Sequence, residues 1–543
     1  MQKTKYLFSF VALFFIHYPH FSFGASHFFL RNRDNNTDSA LIAFCPLRLE
    51  NMCINQSLQD YETTVFGIPK LLKYALDKQF PFILVIPEEI NYLSPLDILS
   101  PWIESARVAQ AWTSTYFRFH ALDVKIITVP NNWLARYTKD SSLYSHISQF
   151  TEALALKKID NHKNLSPEDQ IKQRTFAAEY NLVQEKSHFE LIPFILNQED
   201  KKPEPEIITH PFDDLLKDQK RIVVSGAAGF IGSHFIEQLL KNGHQVLGLD
   251  SLICGNMQNL QLSSTYKNFY FKKIDITSSF DIPGHIDYVV HLASVPSPEY
   301  YYRLPHETLT SGLDGTRTML NLAVKKNARF LFSSTSEVYG DATISPQHEL
   351  YPGNVDPIGK RSQYDQSKRG AETLIKLYYE KYNLDVRIAR IFNTYGPHMS
   401  INDGRVVTNF IKALLQNTAI KIYGDGTQTR SFGYVSDTVQ GLLDLTYDNG
   451  LSSAKTIQER VFNVGSDEEY TVAELAIKIN NLGQSLLGRT VPVTYIPQID
   501  QTDPKQRRPD LTKIKNTYNF LPKINLIEGL DKTAQWFLFS RFI

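Results

Sequence analysis

Cysteine is nearly absent from this 543-residue chain. Cys45, Cys53 and Cys254 are too few and too unevenly placed for a disulfide framework or a zinc site, so no metal site is expected. Only Cys45 and Cys53 are spaced to pair, and only in an oxidising compartment. Net charge is absent too: 57 Lys and Arg balance 57 Asp and Glu. No global field therefore draws the chain to nucleic acid, and any anion it binds must be held by local groups. Charge vanishes again between residues 6 and 30, which contain no Asp, Glu, Lys or Arg. Their most apolar part, 6–16, is short and is followed by Ser22-Phe23-Gly24, as in a secretory signal. Read through to residue 30, the stretch is long enough for an uncleaved membrane anchor, although His17, Pro19 and His20 interrupt it. A buried amphipathic segment is the third reading. Residues 1–30 are thus expected to be a signal or anchor segment, and the sequence leaves open a cytoplasmic or a membrane-anchored location.

What is present is a globular composition, 42% hydrophobic and 21% charged, in a chain too long for one ordinary core. From 197 to 219 the sequence turns polar and proline-bearing (Lys201-Lys202-Pro203-Glu204-Pro205-Glu206), which predicts an exposed linker between two domains. Before it, 67–78 has helical spacing, and 80–86 and 124–129 are apolar runs of strand length, so 31–196 is expected to be a separate α/β domain. Its Trp112 and Trp133 and its Asp and His residues form no spacing that points to chemistry, and its function stays open. After the linker, Ile222-Val223-Val224, Val246-Leu247-Gly248-Leu249, Tyr288-Val289-Val290 and Phe330-Leu331-Phe332 alternate with helix-length segments. Strands interleaved with helices predict a Rossmann-like, doubly wound parallel sheet over 220–543, with ligands at the carboxyl ends of its strands.

The first of these strands runs into Ser225-Gly226-Ala227-Ala228-Gly229-Phe230-Ile231-Gly232, ahead of a helix ending near Gly243. Three glycines at a strand-to-helix turn let the backbone approach a pyrophosphate, whose charge meets the helix N-terminus. Asp250 closes the second strand. A carboxylate there bonds ribose hydroxyls and repels a 2′-phosphate, which favours NAD over NADP. Asp275-Ile276 after the third strand and Leu292-Ala293 after the fourth should border the same cofactor. Tyr364 and Lys368 lie one helical turn apart, and a lysine ammonium beside a phenol lowers its pKa and makes it a base for a hydroxyl proton. Spacing alone is poor support, since Tyr74 and Lys78 share it; the position of Tyr364, beyond a fifth strand ending Ser333-Ser334-Thr335-Ser336-Glu337, is what distinguishes it.

These blocks, with Arg390-Ile391-Phe392-Asn393-Thr394-Tyr395-Gly396-Pro397 and Gly404-Arg405, resemble the extended short-chain dehydrogenases/reductases. The stretch from Tyr423 through Arg430 to Tyr434 and Asp437, and Arg507-Arg508-Pro509-Asp510, are similar to the UDP-glucuronate decarboxylases, or UDP-xylose synthases, over about 220–540. The resemblance implies a small C-terminal substrate-binding lobe, a homodimer, and NAD-dependent conversion of UDP-glucuronate to UDP-xylose through a 4-keto intermediate. It implies Thr335, Ser336, Glu337, Tyr364, Lys368 and Arg507 as catalytic residues, with Tyr301, Asn393, Arg405, Tyr423, Arg430 and Tyr434 around the UDP-sugar. The dimer would form through helices near 308–326 and 361–382, whose Leu313, Leu320, Leu374 and Leu377 suggest surplus apolar surface. The chain departs from the pattern at Leu304-Pro305, where Asn-Pro is expected, at Ser311-Gly312 (Thr-Asn) and at Ser367 (Gly). The missing amide at Gly312 is expected to remove a hydrogen bond near the nicotinamide ribose. The rival readings are a nucleotide-sugar 4,6-dehydratase, whose acid would occupy the place of Ser336, a 4-epimerase, and a non-catalytic NAD-binding regulator.

Overall fold

The computed structural model describes residues 205–212, 218–448, 451, 454–497 and 506–539, the strands of the N-terminal half, and Ala111. The chain divides into two units, 1–201 and 202–543.

In the second unit seven strands form one parallel sheet: β1 (Arg221–Ser225), β2 (Gln245–Asp250), β3 (Phe269–Lys273), β4 (Tyr288–His291), β5 (Arg329–Thr335), β6 (Val386–Ile391) and β7 (Val461–Val464). Their order is β7-β6-β5-β4-β1-β2-β3. The order reverses between β1 and β4, which opens a crevice at their carboxyl ends. All residues of β1 and β2 are buried, as expected of strands covered by helices on both faces. The strands expected from apolar runs are present. β6 shows no continuous apolar run because Arg387 and Arg390 interrupt it; both are buried and neutralised, Arg387 by Asp385 and Asp448 and Arg390 by Glu372.

Helix α1 (Phe230–Lys241) follows the glycine turn and ends as expected, with Gly243 at φ +83°. Next come α2 (Pro298–Arg303), α3 (Pro305–Thr310), a π-helical turn at Ser311–Gly315, and α4 (Thr316–Lys326). The single helix expected over 308–326 is therefore broken in its first third. α5 (Ser362–Tyr382) carries Tyr364 and Lys368. Leu313, Leu320, Leu374 and Leu377 are all fully buried in the single chain, so the surplus apolar surface expected of them is not there.

Small sheets build the C-terminal lobe, among them a pairing of Thr394–Tyr395 with Gly433–Tyr434. Ile420–Tyr423 pairs with Val493–Ile496, and Thr429–Ser431 lies between Glu469–Thr471 and Gln506–Arg507. The register of the last pair sets Arg430 beside Arg507. Part of the expected linker belongs to this unit: Glu206–Ile207 pairs with Phe280–Asp281, and Ile208 is buried.

In the N-terminal unit Phe8–Val11, Ser26–Asn32, Asp38–Phe44, Phe82–Pro87 and Val124–Val129 form one sheet in that order, antiparallel among the first three strands and parallel thereafter. The last two are the strands expected from the apolar runs. The first two fall within or at the edge of the stretch read as a signal or anchor. Among the described residues no helix is long and apolar enough to cross a membrane. The helix expected at 67–78, Cys45, Cys53, Trp112 and Trp133 lie outside the described residues.

Candidate active site

At the crevice between β1 and β4 a cavity of about 1510 Å³ runs from the glycine turn to the C-terminal lobe. Gly226 adopts φ +75°, and a Cβ there would come within 2.7 Å of the Ala293 nitrogen. A Cβ at Gly232 would collide with the Gly226 carbonyl. The two residues must therefore be glycine for the turn to close and for α1 to begin where it does. Asp250 Oδ2 accepts from Ala228 N–H at 3.0 Å and Oδ1 from Leu252 N–H at 2.8 Å, which fixes the carboxyl at the end of β2. Burial raises its pKa and those two N–H groups oppose the rise. Phe230, Ile231, Asp275, Ile276, Leu292 and Ala293 line the same stretch. A bare α1 N-terminus, glycines that admit close approach and a fixed acid at the β2 end suit an adenine dinucleotide without a 2′-phosphate.

Deeper in the cavity, Thr335 ends β5 beside Tyr364 and its side chain favours the ionised phenol. Thr335 Oγ1 also accepts from Glu337 N–H at 3.2 Å, which caps the turn holding Ser336 and Glu337 in the cavity wall. Tyr301, on α2, stacks on Tyr364 with ring centroids 5.5 Å apart and planes 13° from parallel. Lys368 donates to the Ser333 carbonyl at 2.7 Å and lies over the Phe332 ring. The expected lowering of the phenol by Lys368 is not what the structure shows. Burial pushes Tyr364 up to about 12, with the Thr335 side chain the first opposing effect, and burial brings Lys368 itself down to about 7.

Beside this pair Glu337 is held from two sides. Arg507 Nη1 reaches its Oε1 at 2.7 Å, and Arg361 bonds its Oε2. Asp365 is buried next to them, its Oδ2 4.0 Å from Arg361 Nε. Arg361 and Asp365 escaped the sequence reading. Their signal was available, because Arg361 lies three residues before Tyr364 and so shares its face of the chain as α5 begins.

Asn393, Arg405, Tyr423 and Arg430 line the cavity. Arg405 is engaged by Asp403 through two bonds of 2.6 and 3.0 Å, so a substrate would share it with that carboxylate. Tyr434 is a correction: it is not part of the lining but packs into the core edge-on to Tyr395, 5.7 Å between centroids. The departure at Gly312 also reads differently in three dimensions. A side chain there would meet Ser367 Cβ at 2.6 Å and Oγ at 2.7 Å, so Ser367 fills the space that Gly312 leaves. Leu304 offers no side-chain cap to α3, although its carbonyl accepts from Thr308 N–H and Oγ1.

Residues 222–465 match the NAD dependent epimerase/dehydratase family. A UDP-glucuronic acid decarboxylase of Danio rerio is 43% identical over 321 residues, 59% of this chain and 73% of its own length. Another from Arabidopsis thaliana is 41% identical over 336 residues, 61% of this chain and 94% of its own length. Among solved structures, a UDP-glucuronic acid 4-epimerase variant from Bacillus cereus, in complex with a fluorinated UDP-glucuronic acid and NAD, is 26% identical with a TM-score of 0.51, covering 59% of this chain and 99% of that one. A dTDP-glucose 4,6-dehydratase from Streptomyces venezuelae with NAD bound is 27% identical with a TM-score of 0.51, covering 59% and 98%.

Proposed function

We propose that this chain, which belongs to the UDP-glucuronic acid decarboxylase family, converts UDP-glucuronate to UDP-xylose and carbon dioxide with NAD as a bound, regenerated cofactor. The observation that carries the reading is the Arg361–Glu337–Arg507 cluster beside the Tyr364–Thr335 pair. Two guanidiniums at this end would suit a sugar carboxylate when O4 sits on the phenol.

When bound, NAD supplies the hydride acceptor for C4 and returns the hydride at the end. Tyr364 takes the O4 proton as the hydride leaves, and Thr335 keeps the phenol aligned with that oxygen. The resulting ketone is β to the C5 carboxylate, so the bond to the carboxyl breaks with its electron pair flowing into an enolate at O4. Tyr364 and Thr335 are then donors at the oxygen where charge develops. Tyr301 stacks on the Tyr364 ring and steadies it. C5 then gains a proton, and Tyr364 gives its own back to O4. Arg430 and Arg405 would hold the diphosphate, and Asp250 the adenosine ribose of the cofactor.

Ser336 carries no carboxyl to expel a C6 hydroxyl, which favours decarboxylation over 4,6-dehydration. Incubation with UDP-glucuronate, UDP-glucose and dTDP-glucose, followed by product mass, is the test. Carbon dioxide and a UDP-pentose from the first alone are expected. A 4-keto-6-deoxy sugar, or a UDP-hexuronate epimer without loss of carbon dioxide, would replace the reading with dehydration or epimerisation.

A further inference from the structure

The carboxyls at the reacting end are unequally supported. Glu337 has a guanidinium on each oxygen. Asp365 is buried, its Oδ1 has no hydrogen-bond partner, and its Oδ2 lies 4.0 Å from Arg361 Nε, too far for a bond. The charged and titratable groups that face it are Arg361 before α5, Tyr364 and Arg369 along α5, Glu337 on the turn after β5, Arg507 on the lobe strand and Tyr301 on α2. Arg369 donates to the Val338 and Pro352 carbonyls, and Arg361 and Arg507 already serve Glu337. Burial outweighs these guanidiniums and pushes the Asp365 carboxyl up to about 7.

A sugar carboxylate entering this cluster would draw on the same two arginines and add a negative charge of its own. Both effects disfavour an ionised Asp365. We infer that Asp365 takes up a proton when a carboxylate-bearing nucleotide sugar binds, acting as a positioning residue that keeps the reacting end charge-balanced. The inference rests on the substrate class proposed above. It also matches the stoichiometry of that reaction. Loss of carbon dioxide from a carboxylate leaves an electron pair that must be protonated at C5, while the proton on Tyr364 is committed to O4, so one further proton is consumed per turnover. Uptake on binding brings a proton into the site before the carbon–carbon bond breaks.

The test is calorimetric. The full chain carrying Tyr364→Phe, loaded with NAD so that binding is not followed by turnover, is titrated at pH 8 in buffers of different ionisation enthalpy. UDP-glucuronate and UDP-xylose share the diphosphate and differ in the carboxylate. UDP-glucuronate should take up close to one more proton than UDP-xylose, and its affinity should fall about tenfold per pH unit above pH 8. Asp365→Asn should abolish the extra proton and flatten the pH dependence, and Asp365→Glu should restore both. A purely structural Asp365 would instead weaken both ligands together and leave the proton count unchanged. Equal proton counts for the two ligands overturn the inference without any variant that could misfold, as does an extra proton that persists in Asp365→Asn. Carbon dioxide release by the unmodified protein with equal counts sinks this inference alone. Failure of UDP-glucuronate to bind where UDP-xylose binds sinks the proposed reaction with it.

Discussion

Tyr364 and Lys368 are buried in the cavity wall, where burial outweighs the help each receives, so proton transfer depends on Thr335 beside the phenol and on groups brought in with the ligands. Replacing Tyr364 by Phe should lower kcat by about 10²- to 10⁴-fold, the usual contribution of a general base. NAD affinity, measured by fluorescence titration, should stay within about twofold, because the phenol acts on the sugar hydroxyl. At the other end of the sugar, Arg507→Ala should lower kcat/KM by about 100-fold or more, since it removes a charge-assisted contact at the reacting carboxylate and leaves Glu337 with one guanidinium. Arg508→Ala should stay near wild type, because that side chain donates to the Asp467 carbonyl. Steady-state kinetics on the pair would decide it. Asp365 also makes a stability prediction. Its folded pKa is raised above the unfolded value, so its contribution is fully present below about pH 4 and is lost as pH rises through about 7. Asp365→Asn does not titrate, so its melting temperature should gain on that of the wild type between pH 4 and 7; a constant difference would contradict the assignment. Most of these residues were legible because they sit in short motifs at fixed spacing. Arg361 carries a local signal in its place three residues before Tyr364, but its partner Glu337 lies 24 residues away and so does not show in the spacing, and Tyr434 packs into the core, although an aromatic residue near a site looks the same in sequence whether it lines the cavity or the core.

At the scale of elements, the π-helical turn and α5 fit together through a small residue on each. Gly312→Ala places a methyl group against Ser367 and should destabilise the protein by about 1–3 kcal/mol, the range for overpacking a filled space. In a Ser367→Gly background that cost should nearly vanish. Chemical denaturation of the two single variants and the double variant measures the coupling, and additive effects would show that the contact is not the cause. Chain order made both departures visible but could not reveal that they face one another. The sheet was legible for a related reason. Continuous apolar runs mark strands buried on both faces, whereas β6 pairs its two arginines with Asp385, Asp448 and Glu372, all outside the strand, and so hides its burial.

For the whole molecule, the boundary between the units has an energetic test. Residues 202–543 are expected to fold and bind NAD alone, because the glycine turn, the base and Arg507 all lie inside that span. Starting instead at 215 removes the Glu206–Ile207 strand and the buried Ile208, which should cost about 1.5–3 kcal/mol on side-chain burial alone. Thermal melts of the two fragments would show it, and identical melting temperatures would mean that the strand contributes nothing. The N-terminal half yielded two of its strands to sequence reading and no function, since it presents no motif whose spacing demands chemistry.

Arg430 and Arg507 occupy facing positions on neighbouring strands of one short ribbon, so the two cannot be displaced independently. If Arg430 grips the diphosphate and Arg507 the uronate end, the ribbon works as a caliper. It gauges the span from nucleotide to acid, and a ligand that fills only one jaw leaves the other poorly set. Glucuronic acid 1-phosphate, which has the acid but lacks the nucleotide, should therefore lose turnover rate as well as affinity, because the missing handle is also part of what sets the arginine at the bond that breaks.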